Sequence, residues 1–141
     1  MISPMRWPWQ KRDTWWLTTL SVKGLYAGVA RIRKFPSAKK ADYPVFIEFS
    51  LPYEGNKVSP DRFDFFEEIE KQMEILEQAN DFLLVACLTH DNVREWLFYA
   101  KDRDVVVQCL FESFGDHKPQ ISAIDDPKWD NYYDLFEVVR Q

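Results

Sequence analysis

Three observations along residues 43–124 of this 141-residue chain predict an α+β fold, a ferredoxin-like split βαβ core (βαββαβ) built on an antiparallel sheet. An alternating run at Tyr43–Leu51 leads into a long amphipathic stretch. A continuous apolar run at Phe82–Leu88 turns back at once into a second strand pattern. A shorter helical pattern then returns the chain to a last strand at Gln120–Ile124.

Each element has a local cause. Trp15–Val22 and Leu25–Ile32 are rich in strand formers around a turn at Lys23-Gly24, which predicts an N-terminal hairpin that extends the sheet or covers its free face. In Tyr43–Leu51, Val45, Ile47 and Phe49 fall on one face and Phe46, Glu48 and Ser50 on the other. Ser59-Pro60 offers a capping hydroxyl and a proline suited to a first helical position. Behind it Phe63, Phe66, Ile69, Met73 and Leu76 recur at spacings of three and four, a stripe for the core.

Phe82–Leu88 has the length and apolarity of a covered central strand, and His90-Asp91-Asn92 reverses the chain into Val93–Ala100. Asp102 is placed to cap a helix at Arg103–Phe114, with Val106, Cys109, Leu110 and Phe114 inward and Gly115 at its end. Pro127 opens a terminal turn or helix through Trp129 to Val138. The chain thus reads as one domain over 1–141: a basic hairpin extension at 1–40, the core at 43–124, and a C-terminal segment at 125–141. That last segment, DDPKWDNYYDLF at Asp125–Phe136, is too aromatic for a frayed tail and too acidic for a core strand, so it is expected to dock through Trp129 against the sheet or the first helix.

Net charge is −5, but unevenly spread. Residues 1–40 hold nine Lys/Arg against one acid, a net +8, and residues 41–141 hold nine against twenty-two, a net −13. Such asymmetry marks either an anionic partner at one end and a cationic partner at the other, or two segments that neutralise each other in the fold. Met1–Asp13 is broken by Pro4, Pro8 and charges and lacks the apolar run of a secretory signal, and no window has the length to span a bilayer. Cys87 and Cys109 lie in apolar runs without CxxC spacing and read as small covered thiols, in keeping with a cytoplasmic protein.

The residues supply no catalytic set. His90 falls in a turn and His117 in a loop, neither with a second ligand at metal spacing. The four glycines form no phosphate-binding pattern, and Ser59, Ser113 and Ser122 have no nucleophile context. Asp125, Asp126 and Asp130 suit either a divalent cation or, before Pro127, the start of a helix. Arg31, Arg33, Lys34, Lys39 and Lys40 beside Trp15, Trp16 and Tyr26 have the composition of a nucleic-acid stacking groove, or of a solvated basic edge. Glu67, Glu68, Glu70, Glu74 and Glu77 make the first helix acidic on its outward side, either a plain solvated face or a docking surface for a basic protein. No cofactor and no metal are expected.

The strand YPVFIEFSLP, the helix FDFFEEIEKQME, the pattern LLVACLTHDNVREWLFYAKD and the closing DDPKWDNYYDLF resemble, in order and spacing, the bacterial domain of unknown function 695. The resemblance covers nearly the whole chain, though here Asn92 stands in a turn where glycine is usual and the opening is more basic. It implies a fold and carries no catalytic residues. It also implies similarity to small acidic ferredoxin-like inhibitors of RNA-degrading enzymes. Two functions are therefore expected. One is a non-catalytic protein that occludes a basic protein partner through Glu67, Glu68, Glu70, Glu74 and Glu77, as an immunity protein neutralises a nuclease-type toxin. The alternative is a regulator of RNA turnover that inhibits a nuclease or contacts RNA through the basic hairpin.

Overall fold

A computed structural model of the chain describes residues 14–22, 25–34, 40–52, 60–78, 82–90 and 93–140. Strands β1 (Thr14–Val22), β2 (Leu25–Lys34), β3 (Val45–Pro52), β4 (Phe82–His90), β5 (Val93–Ala100) and β6 (Gln120–Asp125) join in one six-stranded sheet of order β1-β2-β4-β5-β3-β6. Every neighbouring pair is antiparallel. Helices α1 (Pro60–Gln78), α2 (Arg103–Phe114) and α3 (Asp130–Arg140) complete an α+β architecture. The expected cap Ser59, the turn Lys23-Gly24, the turn at Asp91-Asn92 and the Phe63 side chain lie outside the described residues.

The hairpin β1-β2 extends the sheet beyond β4. Gly28 is required there, because a Cβ at that position would collide with the Thr89 backbone carbonyl of β4.

Two cores sandwich the sheet. On one face Val45, Ile47, Phe49 and Leu51 of β3 meet Phe66, Ile69 and Met73 of α1 and Val106, Leu110 and Phe114 of α2. On the other, Phe46, Leu83, Val85, Leu97 and Tyr99 meet Trp129 and Tyr132 from α3 and the turn before it. Strand β4 serves both through a bulge: Leu84 lies opposite Phe98 and Ala86 opposite Leu97, leaving Val85 extra. The parity of the strand flips there, so Leu84 and Cys87 face α1 while Val85 and Ala86 both face α3.

Helix ends follow the side chains available. Asp102 accepts the Val105 N–H at 3.0 Å and caps α2. Gly115 does not take the left-handed conformation expected of a terminating glycine. Its φ is −57° and it leads into a 3-10 turn, Gly115–His117, which ends at left-handed Lys118.

The C-terminal segment docks on the sheet, not on α1. Trp129 is fully buried and stacks on Tyr99, and its indole Nε1–H donates to the Tyr43 carbonyl at 2.9 Å. All four orphan N–H groups at the start of α3 are satisfied. Asp126 accepts from Asp130 N and Asn131 N through its side chain and from Trp129 N through its carbonyl, the Tyr99 hydroxyl accepts from Tyr132 N, and Tyr133 N makes the first intrahelical bond, to the Trp129 carbonyl. Asp126 takes the capping role expected of it before Pro127, while Asp125 turns away to Arg103 at 3.3 Å.

Candidate functional site

In α1, Glu67, Glu70, Glu74 and Glu77 recur at spacings of three, four and three, so they form a stripe along one flank of the helix, with Glu68 on the side away from the sheet. The flank overlooks β2. The lower edge of the stripe meets two arginines there: Glu70 Oε1 lies 3.1 Å from Arg31 and Glu77 Oε1 lies 3.2 Å from Arg33.

The expectation that all five carboxylates face outward is thus corrected. Glu67, Glu68 and Glu74 are exposed, Glu77 is buried and Glu70 is largely covered. The cause is positional. Glu70 follows Ile69 and Glu77 follows Leu76, so both sit at the border of the apolar stripe, and the added β2 strand brings opposite charge beneath that border.

Glu70 holds more than Arg31. The same Oε1 accepts from Arg94 at 2.7 Å, from the Trp96 indole at 3.3 Å and from the Cys87 thiol at 3.4 Å. Burial pushes its carboxyl up, but the charge of Arg31 and the hydrogen bond and charge of Arg94 outweigh that and hold it below the usual carboxylate range. Burial also pushes the Cys87 thiol up to about 12, so this cysteine is an inert core group, as its apolar setting predicts. Glu77 in turn accepts the Leu84 backbone N–H at 2.8 Å, which ties α1 to β4 as well as to β2.

The basic hairpin is therefore occupied from within. Trp15 lies under both guanidinium groups, 5.0 Å from Arg31 and 4.7 Å from Arg33, and Lys34 covers Trp16 at 5.4 Å. Lys40 reaches across to Trp129 and Tyr133, at 5.9 and 5.1 Å. For Arg31 and Arg33, the contacts match mutual neutralisation of the basic and acidic segments.

Sequence reasoning passed over a second acidic feature. On the α3 face, where α3 leaves the sheet uncovered, an open groove of about 390 Å³ is lined by Glu48, Ser50, Glu95, Gln120 and Ser122. Burial, then the neighbouring Glu95 charge, raises the Glu48 carboxyl above its ordinary range. His90, expected in a turn, ends β4 and meets Glu95 at 2.7 Å. The alternation of β3 already put Glu48 on this face; its pairing with Glu95 depends on strand order. Among the described residues no group of three or more His, Cys, Asp and Glu could hold a metal ion. None of their helices is long and apolar enough to cross a membrane.

No curated protein and no solved structure matches the chain. A family profile does match, over residues 13–136, which takes in all six strands and the docked Trp129. The chain belongs to the Family of unknown function (DUF695).

Proposed function

We propose that this chain is a non-catalytic binding protein of the cytoplasm that occludes a basic protein partner, as an immunity protein neutralises a nuclease-type toxin. The observation that carries this reading is the sorting of charge on α1. Glu70 and Glu77 absorb Arg31 and Arg33, while Glu67, Glu68 and Glu74 stay exposed. Exposed like charges on one helix contribute little to stability and raise the rate of encounter with a cation-rich surface. RNA contact through the hairpin draws less support, because its arginines are engaged with α1 and Trp15.

We read β3–β6 with α1 and α2 as an elaborated ferredoxin-like unit. Each of its two crossovers, β3-α1-β4 and β5-α2-β6, returns to the sheet with one strand left between. This would bring the chain near the small acidic inhibitors of RNA-degrading enzymes.

The test is a nuclease-type basic protein encoded beside this chain, titrated with wild type and with the triple reversal Glu67→Lys, Glu68→Lys, Glu74→Lys. Slower association and lost protection by the reversed variant are expected. Hydrolase activity of the isolated chain, or tight RNA binding unchanged in the variant, would overturn the proposal.

A further inference from the structure

The hairpin gives the acidic flank of α1 an apolar floor. Trp15 packs into the α1-side core, so strand alternation places Leu17 and Thr19 on that same side. Opposite them in register stand Arg31 and Val29. Leu17 is 75 % exposed and Val29 37 % exposed, beside a half-covered Trp15 and Arg31. Above this floor rises the flank that carries Glu70 and Glu77 at its base. Glu67 and Glu74, three and four residues from Glu70, stand on the same flank one step farther from the sheet.

The result is a trough between α1 and the hairpin, with a carboxylate wall and an aliphatic floor. Arg31 and Arg33 neutralise the base of the wall, and Glu67 and Glu74 stand exposed at the rim with Lys71 between them.

We propose that this trough is where the basic partner docks, and that it takes a segment in which lysines or arginines alternate with apolar side chains. The inference rests on the reading of the chain as a binder of a basic protein and adds the occupant's pattern. Cationic side chains of the segment reach the rim carboxylates, while its apolar side chains cover Leu17 and Val29. A partner that offered charge alone would leave that floor wet, and a purely apolar one would leave the rim unanswered.

The test uses the full chain and two labelled peptides of equal length and charge, one alternating arginine with leucine and the other arginine with serine, followed by fluorescence anisotropy. The leucine peptide is expected to bind about tenfold more tightly, since its apolar side chains and the floor leave water together. Leu17→Ser, at a position exposed enough to leave folding intact, should remove most of that margin without changing affinity for the serine peptide. Val29→Thr should act in the same direction. Neutralising the rim with Glu67→Gln and Glu74→Gln should weaken both peptides and flatten their salt dependence.

Equal affinity for the two peptides, or a margin untouched by Leu17→Ser, overturns the trough. If both peptides still weaken when the rim is neutralised, the acidic landing surface survives that failure. If neither responds to the rim variants, the binding reading falls with it.

Discussion

Tyr99 and Trp129 stack face to face, ring centroids 4.0 Å apart and planes 12° from parallel, and the phenol hydroxyl donates to Asp126 at 2.6 Å while it accepts the Tyr132 N–H at 3.1 Å. One central-strand tyrosine thus supplies both the surface against which the C-terminal segment packs and part of the cap of α3. The indole reaches that surface only because Trp129 has a φ of 61°, a left-handed conformation that costs a bulky residue about 1–2 kcal/mol. Full burial of the indole and its hydrogen bond to the Tyr43 carbonyl offset the strain.

Trp129→Ala should therefore destabilise the fold by about 3–5 kcal/mol, the range of large-to-small core changes. Urea melts of the variant measure it. A loss below about a quarter of that would show that α3 holds to the sheet without its anchor.

Asp126 makes the same segment sensitive to acid. Burial raises its carboxyl, but hydrogen bonds from Tyr99, Asn131 and Asp130 more than reverse this and hold it below the usual range. A carboxylate with a depressed folded-state pKa gives its full stabilisation above its unfolded value, about 3.9, and loses it as pH falls through the folded value. The stability gap between wild type and Asp126→Asn should thus be widest near neutrality and close below about pH 4. Melts across that range check it, and a gap that stayed constant would remove Asp126 from the acid response.

Much of this was legible in the residues. The alternation of Val45, Ile47, Phe49 and Leu51, the α1 stripe of Phe66, Ile69 and Met73, and the docking of Trp129 all follow from spacing and side-chain type. What escaped is non-local. The inward turn of Glu77 depends on Arg33, 44 residues away, and nothing around Glu77 announces it. The bulge at Val85 lies in an unbroken apolar run, where a shift of parity leaves no trace in the pattern. The groove at Glu48 and Glu95 exists because β3 and β5 became neighbours, which their own sequences do not state.

The Arg33–Glu77 pair makes a sharp test of that long-range contact. Glu77→Ala takes the carboxylate away from a buried guanidinium and deprives the Leu84 N–H of its acceptor, a loss of about 3–5 kcal/mol. Replacing both partners, Arg33→Met with Glu77→Leu, should recover much of that, since a buried pair returns little beyond the cost of desolvating it. Denaturant midpoints of the two variants decide it. A double variant no better than the single would locate the penalty in the backbone contact, not in the charge.

The acidic helix permits a comparison in which the change of charge is identical and only the surroundings differ. Glu68 is exposed, so Glu68→Lys should alter stability by no more than about 0.5 kcal/mol, as surface changes do. Glu70→Lys puts a third cation beside Arg31 and Arg94, at a site closed over by Trp96 and Cys87, and should cost about 3 kcal/mol or more. Binding should sort the other way, with Glu68→Lys slowing association with a basic partner while the fold stays intact. Thermal melts and stopped-flow association rates on both variants separate the two roles. If Glu70→Lys melted like wild type, the arginines would not depend on Glu70, and Glu70 would join Glu67, Glu68 and Glu74 as a carboxylate open to a partner.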